Sequence, residues 1–300
     1  MSEEKVKLKI GIVGHGFVGK AVEYGFTTNE TTLFLVDPKY NTTIDDLIEW
    51  EPNMTFICAP TPMNEDGSID AVIVQDAVLK LSHHANCGIV IKSTITPDIM
   101  DSIILSINPE KRKKIVYNPE FLTEKSANEQ FIEPQFHIMG GDLEATAALE
   151  RIYDLFSFCK PCPVFRMTAV EASFVKYAIN AFLATKVTFF NQLYDSIERF
   201  GGNFATIINA VGADPRVGYS HTRVPGFDYK RGFGGACFPK DIAAFIDFDD
   251  KQELLKSVME INNKYRSEYD LDDREKEQKV TYNSTDKVNS DQYQLFETNL

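Results

Sequence analysis

Over roughly the first 165 residues, apolar and polar positions follow a two-part rhythm. Short apolar runs of strand length, Leu8 to Val13, Leu33 to Val36, Met54 to Ala59, Gly88 to Lys92, Lys114 to Tyr117 and Phe136 to Met139, are separated by stretches with helical spacing, among them Ile69 to Leu81 and Leu143 to Phe156. Strands alternating with helices predict an α/β unit, a doubly wound parallel sheet. Near residue 168 the rhythm changes. Thr168-Ala169-Val170-Glu171 has the form of a capping box, and the helix it opens is predicted to run to about Phe200 and stop at Gly201-Gly202. Apolar residues surround its middle (Phe174, Val175, Ile179, Phe182, Leu183, Phe189, Phe190), which predicts a buried helix. Shorter helices are predicted over Phe204 to Val211 and from Glu253 to Arg266. Ser267 to Leu300 is polar, has almost no apolar periodicity, and reads as a marginally ordered tail. The expected organisation is therefore 1–165 as a Rossmann domain, 166–266 as an all-α central domain, and 267–300 as a polar tail.

The first strand runs into Gly14-His15-Gly16-Phe17-Val18-Gly19 and then into a helix, and the second strand ends at Asp37. In that context each glycine has a task. Gly14 turns the chain, Gly16 admits a pyrophosphate, and Gly19 lets helix and strand pack closely, with the helix N-terminus facing the phosphates. A carboxylate at Asp37 accepts hydrogen bonds from a ribose 2′-hydroxyl and repels a 2′-phosphate, which favours NAD over NADP. Further strand ends carry Pro60-Thr61-Pro62, Ser93-Thr94 and Asn118-Pro119-Glu120-Phe121-Leu122-Thr123-Glu124. The Thr94 hydroxyl is suited to bond a cofactor or water or to cap the next helix, and Glu120 and Glu124 read equally as an acid/base pair or as exposed charge.

In the central domain, Lys176 and Asn180 are four residues apart and share a helix face. A lysine inside a buried helix needs a partner or a task, unless it snorkels to solvent. Downstream, Arg231 to Asp241 places three glycines just before Cys237, with Pro239 suited to the first position of a helix. A thiol near a helix N-terminus is favoured as thiolate, and Asp241 lies four residues on; the bland alternative is a buried structural cysteine. Cys159-Lys160-Pro161-Cys162 matches C-x-x-C, yet no second ligand pair lies near it and its prolines suggest an extended connector, so it is read as structural, with no metal expected.

Charge and composition narrow the partners. The net charge of −13 argues against nucleic acid and anionic membrane surfaces, and 43% hydrophobic content in 300 residues suffices for about two cores. No apolar stretch is long enough to span a bilayer. The N-terminus carries no apolar h-region, and the five scattered cysteines fit reduced thiols, so the expected location is cytoplasmic.

Taken together, the glycine motif, Ala59-Pro60-Thr61-Pro62, Ser93-Thr94, Asn118 to Leu122, the helix with Lys176 and Asn180, Asp214-Pro215-Arg216, and Gly232 to Asp241 resemble the UDP-glucose/GDP-mannose dehydrogenase family over residues 8 to about 246. The contexts Val224-Pro225-Gly226 and Arg231-Gly232-Phe233 are most similar to its UDP-glucose branch. The resemblance implies oxidation of the C6 alcohol of a nucleotide sugar, UDP-glucose to UDP-glucuronate, with NAD, in two hydride transfers through a thiohemiacetal and a thioester on Cys237. It implies Lys176 and Asn180 at the developing oxyanion, and Asp241, Thr94 and Glu120 around the attacking water, with Glu120 first as base. It further implies cofactor contacts from Gly14, Gly16, Phe17, Val18, Gly19, Asp37, Pro60, Thr61, Thr94 and Glu124. Substrate contacts are expected from Glu120, Phe121, Leu122, Lys176, Asn180, Phe233, Gly234 and Cys237, with Arg216 reaching across the interface of a homodimer built on the helix starting near Thr168. Family members usually carry a third domain that grips the nucleotide, and the polar tail does not read as one. Three alternatives stand beside this reading. One is a catalytically impaired NAD-binding remnant. A second is a GDP-mannose or UDP-N-acetylmannosamine dehydrogenase, and a third a hydroxyacid-type dehydrogenase without a cysteine. In the active case a separate chain would supply the third domain, or the nucleotide would be held weakly.

Overall fold

The structure is a computed structural model that describes residues 7–83 and 87–282; the N-terminal hexapeptide and the last part of the expected tail, 283–300, lie outside the described residues. The described residues fall into two compact units, one within Met1–Asn64 and Ile69–Ala178, the other within Glu65–Ser68 and Ile179–Leu300. The division lies inside the long helix, later than the expected boundary at 165/166, because the helix's first turns pack on the sheet unit. Ser173 donates from its hydroxyl to the Ile95 carbonyl, and Ala169 and Ala172 press on Gly140.

The first unit is built on seven strands: β1 (Leu8–Val13), β2 (Thr31–Val36), β3 (Met54–Ile57), β4 (Gly88–Ile91), β5 (Ile115–Tyr117), β6 (His137–Gly141) and β7 (Val164–Met167). They lie in the order β2-β1-β3-β4-β5-β6-β7. All neighbours are parallel except β5 and β6, which pair antiparallel. The reversal follows from the excursion between them: the Ala127–Ile132 helix packs Phe131 against Gly25 and Phe26 of the Phe17–Phe26 helix, and the chain re-enters the sheet from the other side. β7 was not anticipated. The C-x-x-C stretch before it is extended, as expected, but it leads into an edge strand whose alternation is too weak to show in sequence. Central strands carry near-continuous apolar runs because both faces are covered, and Ile10, Ile12, Phe56, Val90, Val116 and Met139 form one core with Phe26, Phe131 and Tyr153.

The second unit contains the rest of the Ala169–Arg199 helix and the helices Phe204–Gly212, Phe238–Phe248, Glu253–Arg266 and Asp273–Glu277. Thr168 and Glu171 form the expected reciprocal cap at the start of the long helix. A core of Phe190, Ile208 and Val224 holds the Phe204–Gly212 helix to it. Two expectations are corrected. The long helix is not buried all round, since Phe174, Phe182 and Phe189 are exposed; two full turns of apolar residues cannot all face one core. The segment after Arg266 is not simply a tail. Through residue 282 it is folded, with a capping box at Asp272 and Glu275 and with Glu275 and Val280 buried, because charged partners stand in for apolar periodicity there.

Gly19 decides how closely the first helix approaches the first strand. A Cβ there would stand 2.1 Å from the Gly14 carbonyl oxygen, whereas at Gly16 it would meet nothing within 4 Å. Gly19→Ala is therefore expected to destabilise the fold by about 2 kcal/mol or more, and Gly16→Ala by less than about 0.5 kcal/mol, in urea unfolding. Equal midpoints for the two variants would contradict this packing.

Candidate active site

In the sheet unit, strand order reverses between β1 and β3, and a doubly wound sheet opens a crevice beyond the carboxyl ends of its strands at such a point. Gly14, at φ +86°, sits there against Cys58 and Ala59 so closely that a Cβ would come within 2.8 Å of the Ala59 backbone. Gly16 is the N-cap of the Phe17–Phe26 helix and faces open space, so the first-turn amides are reachable by a diphosphate. Phe17 and Val18 are half-buried at the start of that helix. Asp37 directly follows β2, with its Oδ2 accepting the His15 amide at 2.8 Å and its Oδ1 the Lys39 amide at 3.1 Å. Burial works against its charge, but those amides hold its carboxyl below the usual carboxylate range. These residues fit a dinucleotide: a small-residue cradle, a helix N-terminus and an ionised acid at the next strand end.

The neighbouring strand ends are tied into one shelf. Ser93 donates to the Ala59 carbonyl at 2.7 Å and the buried Thr61 to the Thr94 carbonyl at 3.1 Å, which leaves Pro60 exposed and Thr94 half-buried at the rim. The side chain of Glu124 lies outside what the structure describes. Glu120, which sequence reading left as acid/base or surface charge, is neither exposed nor loose. Its Oε2 lies 2.9 Å from Lys92 Nζ, its Oε1 accepts the Phe121 amide at 2.9 Å, and its carbonyl accepts Lys176 Nζ at 2.6 Å. The Lys176 ammonium also stands 5.2 Å from the centre of the Phe121 ring, and Leu122 packs on the core.

Sequence reasoning missed Lys92. It is buried at the end of β4, 3.0 Å from Asn118 Oδ1 and 3.5 Å from the Tyr153 hydroxyl, which itself donates to Asn118 Oδ1 at 2.8 Å. The signal was a lysine closing an otherwise apolar strand, Ile89-Val90-Ile91-Lys92. Burial would push its ammonium down, but the adjacent Glu120 carboxylate carries it above its ordinary range. The His137 ring stacks on Tyr153 at 4.5 Å beside the same cation; burial first, then the Lys92 charge, pushes its pKa down to about 4.

In the helical unit, Cys237 is the N-cap of the Phe238–Phe248 helix, and Pro239 occupies the second helical position rather than the first. Asp241, 1% exposed, donates its amide to the Cys237 carbonyl at 2.9 Å. Its two carboxylate oxygens are both held, Oδ1 by Lys240 Nζ and Oδ2 by Asn180 Nδ2, each at 2.6 Å. Lys240 was a second omission; its signal was a lysine beside the acid at the start of an apolar helix. Ahead of the cysteine, Phe233 is buried, its amide and carbonyl both bonded to the side chain of Asn262 at 2.6 and 3.0 Å, and Gly234 is half-buried beside Arg266. Arg231 is clamped between Tyr194 and Tyr265 and paired with Asp195 at 2.7 Å. Arg216 is exposed and paired with Asp214 at 2.6 Å. Lys176 belongs to one unit and Asn180 to the other, so the site residues are described unit by unit: Lys92, Glu120 and Lys176 in the first, and Cys237, Asp241 and Asn180 in the second.

Burial favours the protonated form of three of the remaining thiols. Burial pushes Cys58 up to about 12 and Cys159 up to about 11, and Cys159 donates to the Phe131 carbonyl; Cys162 is also raised, again mainly by burial.

Comparison with known proteins places these features in a lineage. Residues 48–157 match the NAD binding domain, and residues 170–264 the central domain, of the UDP-glucose/GDP-mannose dehydrogenase family. The chain belongs to that family. NAD is accordingly its cofactor. A UDP-glucose 6-dehydrogenase of Rickettsia felis is 36% identical over 222 residues, 69% of this chain and 47% of that one. The UDP-glucose 6-dehydrogenase TuaD of Bacillus subtilis is 32% identical over 225 residues, 71% of this chain and 47% of its own length. A UDP-glucose dehydrogenase from Pyrobaculum islandicum superposes with a TM-score of 0.70 at 27% identity, covering 87% of this chain and 69% of that one. The chain thus spans about half the length of the curated relatives it matches. Among the described residues, no helix is long and apolar enough to cross a membrane.

The neutral His137 makes acid stability testable. The unfolded chain takes up a proton near pH 6.5 and the folded one only near 4, so this group's contribution is complete above pH 6.5 and is lost as pH falls from 6.5 to 4. The loss amounts to at most about 3 kcal/mol. His137→Phe, which keeps an aromatic ring against Tyr153, is expected to flatten the fall in urea-unfolding stability between pH 7 and pH 4.5. An unchanged slope would contradict the assignment.

Proposed function

We propose that this protein oxidises the C6 primary alcohol of a nucleotide sugar to the carboxylate, with UDP-glucose as the substrate, through a covalent intermediate on Cys237. The observation that carries the reading is Cys237 at the head of a helix whose first turn holds a buried carboxylate locked to Asn180. A thiolate is the side-chain nucleophile best suited to attack an aldehyde at neutral pH, and its thioester is open to hydrolysis.

NAD, when bound, accepts a hydride at each of the two oxidations. The chain's residues do the rest: at the first oxidation the C6 hydroxyl proton passes to Lys176 or to a water held by Asp241, which leaves the aldehyde. Cys237 Sγ attacks the aldehyde carbon, a C–S bond forms, and the carbonyl oxygen becomes the alkoxide of a thiohemiacetal. Lys176 and Asn180, one helical turn apart, are suited to stabilise that oxygen as donors. Once the thioester has formed, water adds to its carbon, the C–S bond breaks, and the thiolate leaves from the sugar carboxylate. Glu120 takes the proton of that water, and Thr94 orients it. The Lys92 cation beside Glu120 aims the acid, and Asp241 fixes Asn180. Gly14, Gly16, Gly19, Asp37, Pro60, Thr61 and Glu124 hold the cofactor, Phe121, Leu122, Phe233 and Gly234 line the sugar, and Arg216 serves the neighbouring subunit of a homodimer. Phe174, Phe182 and Phe189, exposed along the long helix, are the apolar surface that such a dimer would cover. A cytoplasmic location suits the five thiols, none of which is in a disulfide.

Purified protein with NAD⁺ and UDP-glucose is expected to produce two NADH per sugar, followed by absorbance, and to sediment as a dimer. Cys237→Ser is expected to lower turnover by about a thousandfold or more. Full activity in that variant would sink the covalent route. NADH from GDP-mannose or UDP-N-acetylmannosamine but not from UDP-glucose would reassign the substrate within the family.

A further inference from the structure

The residues that match the family end at 264, yet the chain just beyond them is bonded to the loop that delivers the cysteine. Three contacts run in order along that loop. Lys230 Nζ donates to the Asp270 carbonyl at 2.6 Å, the Arg231 amide to the Tyr269 hydroxyl at 3.3 Å, and the Gly235 amide to Glu275 Oε1 at 3.0 Å. Glu275 is fully buried on the short Asp273–Glu277 helix. The same oxygen also accepts Arg266 Nη2 and the Tyr282 hydroxyl, each at 2.7 Å, while Oε2 accepts the Asp272 amide at 3.0 Å. Arg266 is buried too, and its other terminal nitrogen reaches Asp228 at 2.6 Å, on the near side of the same loop.

A buried ion pair by itself says little about stability, since desolvation offsets attraction. This one has a geometric consequence. A guanidinium is a rigid planar fork, so pairing one arm with Asp228 and the other with Glu275 fixes the distance across the loop. Gly234 lies in the middle, where a Cβ would stand 2.0 Å from Arg266 Nη2 and 2.5 Å from Glu275 Oε1. A loop of Gly232, Gly234 and Gly235 carries little stiffness of its own. Cys237 follows it directly.

We propose that Glu275 is a positioning residue: through the Gly235 amide and the Arg266 fork it fixes the glycine loop, and with it the place of the Cys237 sulfur. The claim rests on the covalent reading of Cys237, but its first consequence, a rigid loop, does not. Glu275 touches no reacting atom in this account; it acts through the backbone.

The test compares wild type, Glu275→Ala and Glu275→Gln by hydrogen exchange of the 231–237 segment and by steady-state kinetics with UDP-glucose and NAD⁺. Amide exchange in that segment is expected to quicken about tenfold or more in Glu275→Ala, with the sheet unit unchanged. The kcat is expected to fall about tenfold or more, with KM for NAD⁺ within about twofold of wild type. Glu275→Gln, whose amide oxygen can still accept the Gly235 amide but which loses the charge that pairs with Arg266, is expected to recover only part of both. Should Glu275→Ala fail to fold, slower turnover and faster loop exchange in Glu275→Gln than in wild type support the proposal. Wild-type exchange in the loop of the folded variants overturns it, as does faster exchange with unchanged kcat. If wild type oxidises no sugar nucleotide, the covalent reading fails while the exchange measurement still decides whether the loop depends on Glu275.

Discussion

A carboxylate taken almost wholly out of water has to be answered on both oxygens, and in this protein Asp241 is answered by Lys240 and Asn180. Breaking such a set by removing one member typically costs about 3–5 kcal/mol, because the charge left behind is unpaired. The consequence is positional. Lys240 is the sequence neighbour of Asp241, so that pair could form in any fold of the helix, whereas Asn180 comes from the long helix far upstream. The Asn180 bond sets the depth and rotation of the cysteine's helix against the long helix. Because the Asp241 amide closes the first helical turn onto the Cys237 carbonyl, the thiol's backbone position is set by the same bond.

Around the sheet the same logic is applied with opposite charge. Lys92 is a buried cation, tolerable because Glu120, Asn118 and Tyr153 surround it. What it secures is Glu120, whose backbone carbonyl in turn takes the ammonium of Lys176. Both units therefore hold their candidate site residues on buried ions at the ends of regular elements, where backbone geometry is firm. The flexible parts, glycine turns above all, are confined to places where a ligand must come close, and the loop before Cys237 is braced from outside by Arg266 and Glu275.

Much of this was legible in the residues. The glycine motif, the strand ends and the cap at Thr168 depend on local rules of spacing, and the structure places them where those rules do. Lys176 and Asn180 were legible because polar groups in an apolar helix need partners. What the sequence could not show was partnership over distance. Nothing local says that Asn180 meets Asp241, that Lys92 meets Glu120, or that a glutamate in a polar stretch ends up buried under Arg266. The long helix misled in the other direction, since a helix apolar on every side reads as buried whether its cover is its own chain or another. The antiparallel entry of β6 depended on the docking of Phe131 beside Gly25, which no period in the strand itself reveals.

The proposed oxidation requires Cys237 to form a bond to substrate, and that bond can be caught. In Glu120→Gln the thioester should form but hydrolyse slowly, so peptide mass spectrometry after mixing with NAD⁺ and UDP-glucose is expected to find the sugar acyl group on the peptide containing Cys237, and only when NAD⁺ is present. Finding no adduct while the variant still releases NADH, or finding it on another cysteine, would contradict the account.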